Sequence, residues 1–465
     1  MIEERSAFGR AHLRNCARSL LVAGLIAALA APGPTRAGEP LSWSLADAVQ
    51  YGLDHSPDLA VAASQRAEKE EARAEVFSSF LPDLAFEGGY TYMDNVPRIP
   101  VDFTVDPPGP QTPPFEIYRE ALVGANDNFK AKLTLNQLLF ASGKVYYAHR
   151  AAKGQIESAR EQEQALKIKV AERIAEACNG VLIANSVAAL QREALAAAQA
   201  HLQQVQDRFQ AGAATRLELL RSGVEVSNLE PRVTEADKGI QIALTQLRRA
   251  TGLSDGTDLV LVDSLEATVE PVDEEGEFDR ASRLRPELAA LAHLKGAAED
   301  QALAQRGAML PTVALSGSFG YEKPYFAITE WEQNWTVGVG LKVPIFDGFE
   351  AYHGMRKARA SAETLARSAV QTHADVQTEV QTALLDLHEA AVRIGTTREN
   401  LERVQEMLGV AEGSYRAGAA TSLEVLDAQL AATTARLDHL KALYDYRVAR
   451  VRLAAATGNL EAIGR

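Results

Sequence analysis

Cysteine is nearly absent from this 465-residue chain: Cys16 and Cys178 are the only two. They cannot make a disulfide framework or a cysteine-based metal site. Aromatic residues make up 6% of the sequence, too few for a bulky globular core. Basic charge is also scarce, with 48 Lys and Arg against 62 Asp and Glu, a formal net charge of −14. Such a chain lacks the clustered cations that phosphates require, which excludes nucleic acid as a partner. No apolar run reaches the roughly 18 residues of a membrane-spanning helix. Proline is missing from residues 115–230 and again after residue 344, leaving two long stretches free to be helical. What remains is 46% hydrophobic and visibly rich in alanine, a folding sequence suited to long helices with narrow seams.

The N-terminus implies export. Arg5, Arg10, Arg14 and Arg18 precede a 12-residue apolar run over 20–31, followed by small residues around Thr35-Arg36-Ala37. That order reads as a secretory signal peptide over 1–37, with cleavage after Ala30 or Ala37. The run is too short for a membrane anchor, which needs about 20 residues. Cys16 lies before it, so it is not a lipid-attachment site. Removing 1–37 takes away five Arg and two Glu and leaves a mature chain near −17. Cys178 then stands alone, expected as an inert, small apolar residue in a helix.

The chain is also duplicated. Phe209-Gln210-Ala211-Gly212-Ala213-Ala214-Thr215-Arg216-Leu217-Glu218 recurs 206 residues later as Tyr415-Arg416-Ala417-Gly418-Ala419-Ala420-Thr421-Ser422-Leu423-Glu424. Phe140 and Phe346 keep that offset, as do Ala250-Thr251-Gly252 and Ala456-Thr457-Gly458. Pro57-Asp58-Leu59 and Pro286-Glu287-Leu288 are related instead by 229, as are Leu81-Pro82 and Leu310-Pro311. The first copy therefore holds 23 extra residues between Pro82 and Phe140, where Pro97, Pro100, Pro107, Pro108, Pro110, Pro113 and Pro114 read as a long exposed loop. The expected organisation is a first repeat over 41–252, an acidic solvated linker over 253–279, a second repeat over 280–458 and a short tail over 459–465.

Four stretches alternate apolar and polar residues with the period of a strand, at about 84–92, 129–139, 312–321 and 334–343. Each has 9–11 residues with aromatics near its ends, as a strand crossing an outer membrane would. An ordinary antiparallel sheet with one dry face has the same pattern. Open strand edges are not tolerated in lipid, so four membrane strands would need others from further subunits; three chains would supply twelve. The rest reads as helix. Residues 144–210 form one unbroken pattern, about 100 Å long at 1.5 Å per residue. Leu195, Ala198, Leu202, Val205 and Phe209 keep 3-4 spacing, as do Leu401, Val404, Leu408, Ala411 and Tyr415. Beyond the second turn Leu423, Leu426, Leu430, Thr433, Leu437, Leu440 and Tyr444 continue it, which argues coiled-coil packing. Pro231, standing where the second copy has Leu437, is expected to kink the first.

The duplicated turn, the Pro-Asp/Glu-Leu and Leu-Pro landmarks and Val343-Pro344-Ile345-Phe346-Asp347-Gly348 together resemble the TolC family of outer-membrane efflux proteins, over about residues 41–458. The first copy departs from it with Leu138 where the second has Pro344. The resemblance implies a mainly α fold with a small β part, completed as a homotrimer with a twelve-stranded barrel in outer-membrane lipid and a twelve-helix periplasmic tunnel. It implies docking to an inner-membrane transporter through a periplasmic adaptor, with type I protein secretion as the related alternative. A periplasmic adaptor or coiled-coil scaffold is the reading from another class, but an adaptor does not account for the four strands, and a scaffold would not need the signal peptide or the proline-rich loop.

Little suggests catalysis or a cofactor. Gly252-Leu253-Ser254-Asp255-Gly256 fits a nucleophile-elbow pattern, but it follows a helix where that motif needs a strand. The nine His are scattered, and His388-Glu389 lacks the second His of a zinc helix. Glu424 and Asp427 share a helix face three residues apart. At the matching positions the family places an acidic ring around the periplasmic aperture, the first member being typically Asp; a solvated helix face is the plainer reading. Tyr415 matches a gate-latching tyrosine whose usual Arg partner is Ala420 here, leaving Arg416, Arg216 and Arg221 as candidate donors. Gly212, Thr215, Gly418 and Thr421 mark turns where adaptors dock in the family; reversing the chain is the simpler role, and the two are compatible.

Overall fold

The computed structural model describes residues 41–105, 115–122, 125–254, 256–325, 328 and 330–464. The expected signal peptide, Asp255 of the elbow pattern and the prolines at 107, 108, 110, 113 and 114 lie outside them. In chain order the elements are β1 (Leu41–Trp43), α1 (Leu45–His55), α2 (Pro57–Ser78), β2 (Asp83–Tyr92), β3 (Arg98–Val105), β4 (Phe115–Leu122), β5 (Asp127–Phe140), α3 (Lys144–Gln210), α4 (Arg216–Thr251), β6 (Leu259–Leu261), α5 (Glu274–Leu284), α6 (Pro286–Gly307), β7 (Thr312–Lys323), β8 (Glu332–Lys342), α7 (Glu350–Arg416), α8 (Ser422–Ala456) and α9 (Leu460–Ile463).

Helices α3 and α7 have 67 residues each and set the length of the molecule, about 100 Å. Their Ala-rich faces admit close neighbours. On the side towards the strands the lateral order is α2–α3–α6–α7; on the far side it is α4–α3–α8–α7. Short helices therefore stack end to end beside the long ones, and the sequence landmarks mark the joints. Gly252, which ends α4 at φ +77°, sits so close to the joint between α1 and α2 that a Cβ there would lie 2.9 Å from the His55 carbonyl oxygen. Gly458, at φ +75°, comes equally near Leu284, just before α6. Pro57 and Pro286 open α2 and α6 at the first turn, where a missing N–H costs nothing. The Arg285 guanidinium ties the second joint, donating to the Ala455 carbonyl (3.2 Å) and pairing with Glu379 (2.6 Å). Gly252 thus ends a helix, which removes the strand-to-helix setting a nucleophile elbow needs. Helix α4 runs unbroken through Pro231, which is exposed.

A small core wraps the middle of the bundle. Strand β1 pairs in parallel with β6, and Trp43, Ile174, Cys178, Leu247 and Leu259 pack beneath them. Cys178 is 1% exposed, and burial pushes its thiol up to about 12, in keeping with an inert apolar role. The acidic stretch read as a solvated linker is exposed at Glu274 and Glu275 and begins a helix. Glu274, Glu275 and Glu277 form the first turn of α5, where carboxylates offset the exposed N–H groups of the helix end. The C-terminal stretch also docks, through the buried Ile463 of α9.

The four expected strands form one antiparallel sheet in the order β2–β5–β7–β8. Its register lines up Phe86, Leu133, Phe319 and Trp335 across all four strands on one face. They are 72%, 40%, 45% and 69% exposed, so no layer among the described residues covers the apolar face. Leu84, Tyr90, Val337, Val339 and Leu341 extend it. The other face carries polar groups such as Ser318 and Thr336, whose hydroxyls stand 2.8 Å apart. A sheet with a dry face would have buried that row. The outer edges of β2 and β8 have no strand partner among the described residues. The loop read between Pro82 and Phe140 is in part a second hairpin, β3–β4, paired from Arg98↔Leu122 to Val105↔Phe115. Pro100 is accommodated because a two-stranded ribbon leaves half its backbone groups unpaired.

Candidate functional site

The helical end farthest from the sheet consists of two turns with the same construction. Gly212 and Gly418 hold φ of +73° and +79° after α3 and α7. In each, the next residue closes the helix with a bond five residues back, Ala213 N–H to the Arg208 carbonyl (2.7 Å) and Ala419 N–H to the Ser414 carbonyl (2.8 Å). The following helix then starts on a capping box. Glu218 N–H donates to Thr215 Oγ1 (3.2 Å), and Thr215 N–H returns a bond to Glu218 Oε2 (3.1 Å). Glu424 N–H donates to Thr421 Oγ1 (3.4 Å), and Thr421 N–H to Glu424 Oε2 (2.7 Å). Gly212, Thr215, Gly418 and Thr421 are all exposed, with open space around both glycines.

The neighbours of the turns differ. Tyr415 is 4% exposed and packs with Val205 and Val425, whereas its counterpart Phe209 is 39% exposed. The Arg208 guanidinium lies 4.6 Å from the Tyr415 ring centroid and donates to the Tyr415 carbonyl at 2.9 Å. The His201 ring stands 5.3 Å away, and its Nε2 is 2.9 Å from Ser422 Oγ. Burial pushes the His201 imidazole below its ordinary value, against the pull of Glu412. Helices α3, α7 and α8 therefore meet in one small buried node.

Glu424 and Asp427 are both exposed and share the wall of a groove of about 730 Å³ between α7 and α8. Met407, Val410, Ala411 and Arg403 line it too. One Glu424 oxygen is held by the cap, so that carboxylate also has a local structural task, as Glu218 does in the first copy. Asp427 has no such duplicate: the residue 206 positions earlier is Arg221.

Of the cations considered for Tyr415, Arg416 donates instead to the Glu412 carbonyl of its own helix (3.3 Å). Arg216 and Arg221 are exposed on α4, and neither is bonded to Tyr415 among the described residues. The cation on Tyr415 is Arg208, which sequence reasoning missed together with His201. A signal was available: at the repeat offset Arg208 stands opposite Ser414 and His201 opposite Met407, two breaks in the duplication on one helix face.

The chain matches the family model described as outer membrane efflux protein over residues 48–253 and 278–459. It is 26% identical over 348 residues to the alkaline protease secretion protein AprF of Pseudomonas aeruginosa, covering 72% of this chain and 70% of that one. It is 22% identical over 427 residues to the outer membrane protein TolC of Escherichia coli, covering 87% and 80%. The solved structure of the MtrE outer membrane channel of Neisseria gonorrhoeae shares the fold, with a TM-score of 0.72 at 16% identity over 93% of this chain and 94% of that one. With its lipid-ready sheet, duplicated long-helix bundle and paired tips, this chain belongs to the outer membrane efflux protein family, as an outer-membrane export component whose helices extend into the periplasm.

Proposed function

We propose that three copies close head to tail into one conduit, a twelve-stranded barrel in the outer membrane continued by a periplasmic helical tunnel. The observation that carries this reading is the four-stranded sheet, with its uncovered apolar face and two unpaired outer edges. Lipid tolerates neither edge, and pairing β8 of one copy with β2 of the next removes both. The helices have matching flanks: Leu217, Leu220 and Val224 are exposed on α4 at one lateral edge, and Val370, Leu385, Val392 and Val410 on α7 at the other. Twelve strands is an even number within the range of single barrels. The two repeats, over 41–252 and 280–458, act as pseudo-equivalent halves of each wall.

The far tip is the gate in this reading. Glu424 and Asp427 from three copies surround the aperture and favour cations, as charged rings do in other channels. Tyr415, held by Arg208, keeps the α7–α8 hairpin against α3. The exposed turns at Gly212, Thr215, Gly418 and Thr421 receive a periplasmic adaptor that links the channel to an inner-membrane transporter. The chain acts by letting substrates pass, not by catalysis. Similarity to a protease secretion protein favours a polypeptide cargo as a second reading beside small-molecule efflux. The test of assembly is extraction: the protein should leave the outer-membrane fraction only in detergent, as a heat-resistant trimer. A water-soluble monomer would overturn the proposal.

A further inference from the structure

The node beneath the second turn contains a titratable group where an apolar one would pack. His201 is 5% exposed, while its repeat counterpart Met407 is 45% exposed. The imidazole reaches both arms of the α7–α8 hairpin: the Tyr415 ring at 5.3 Å before the turn and Ser422 Oγ at 2.9 Å after it. Val205, Tyr415 and Val425 make the surroundings dry. The charged groups around it are Arg208 on α3, its own helix, and Glu412 on α7. The carboxylates of Glu218 on α4 and Glu424 on α8 are committed to their caps. A neutral imidazole suits such a site, and a charged one is costly there.

We propose that His201 is a proton-operated positioning residue of the gate: neutral, it clasps the α7–α8 hairpin against α3; protonated, it releases the hairpin, so that acid on the periplasmic side opens the channel. This rests on the reading of the tip as the gate. Burial lowers the affinity of the clasped imidazole for a proton, and this outweighs the opposite effect of Glu412. In a released hairpin the ring is solvated and returns to an ordinary value of about 6.5. Protons therefore bind the released form more tightly. The clasp is intact above about pH 6.5 and weakens below it, by at most about tenfold per pH unit per chain.

The test uses the full channel in planar bilayers, with the periplasmic side stepped from about pH 7.5 to 5.5. The open fraction of the unsubstituted protein should rise about tenfold or more, and His201→Gln, which keeps a hydrogen-bonding group but cannot take up the proton, should remain flat. Ser422→Ala keeps the imidazole and removes its partner, so its acid step should persist with a midpoint moved to higher pH; this also serves if His201→Gln fails to assemble. An unsubstituted channel without an acid step, a step retained in His201→Gln, or an unmoved midpoint in Ser422→Ala each overturns the proposal. So does loss of the step in Glu424→Ala/Asp427→Ala, which would assign it to the aperture carboxylates. Tyr415→Ala separates the two readings: if it leaves the open fraction at neutral pH unchanged, the tip is not the gate. If it opens the channel while His201→Gln keeps its acid step, only the proton role fails.

Discussion

The first helical tip exposes Phe209 and the second buries Tyr415, although the two residues are equivalent by the 206-residue offset of a duplicated sequence. Everything that shapes the backbone is shared between the tips: the glycine at positive φ, the bond five residues back and the Thr–Glu capping box. What has diverged is the side chains that meet other helices. Arg208 and His201 on α3 engage the second hairpin, while Ser414 and Met407 on α7 face the open groove. Arg221 and Asp427 carry opposite charge. The duplicated residues build the turn, and the functional content lies where the copies disagree.

The largest expected difference between the tips is in packing. Tyr415→Ala removes a fully packed ring and should cost about 3–5 kcal/mol of local stability, whereas Phe209→Ala, partly exposed, should cost under about 1. Native-state hydrogen exchange of peptides spanning each turn would measure both, and equal losses would break the asymmetry. A smaller effect should be shared. Glu218→Ala and Glu424→Ala each remove half of a capping box and should cost about 1 kcal/mol in the same exchange measurement. Only the second should also reduce cation preference in bilayers. Smallest is the backbone contrast: Gly212→Ala and Gly418→Ala should each cost about 1 kcal/mol for a left-handed alanine. Because both sites are open, the two values should agree closely, and a large disagreement would mean the turns are not equivalent.

The parts readable from sequence were those written locally. Alternation placed all four strands to within about two residues, and α3 begins and ends at the expected Lys144 and Gln210. The turns followed from the repeat. Contacts between distant segments were not readable. Arg208 precedes its turn and acts on a ring 207 residues away, whereas the candidate cations Arg416, Arg216 and Arg221 stand beside Tyr415 or after the first turn in sequence. Likewise α5 hides in an acidic stretch, because three closely spaced glutamates read as linker; they open a helix with Glu274 and Glu275 still exposed. The β3–β4 hairpin was hidden by the proline-rich sequence around it; Pro100, the one proline within its two strands, is tolerated in a two-stranded ribbon as it would not be in the middle of a larger sheet.

The pair with opposite charge offers the most direct measurement. In the assembled channel, the reversal potential in a salt gradient should be compared for Asp427→Lys and Arg221→Glu. If the second tip alone faces the aperture, Asp427→Lys should move the potential strongly towards anions while Arg221→Glu leaves it nearly unchanged. Equal and opposite shifts from the two variants would contradict the account, because both tips would then face the conduit alike.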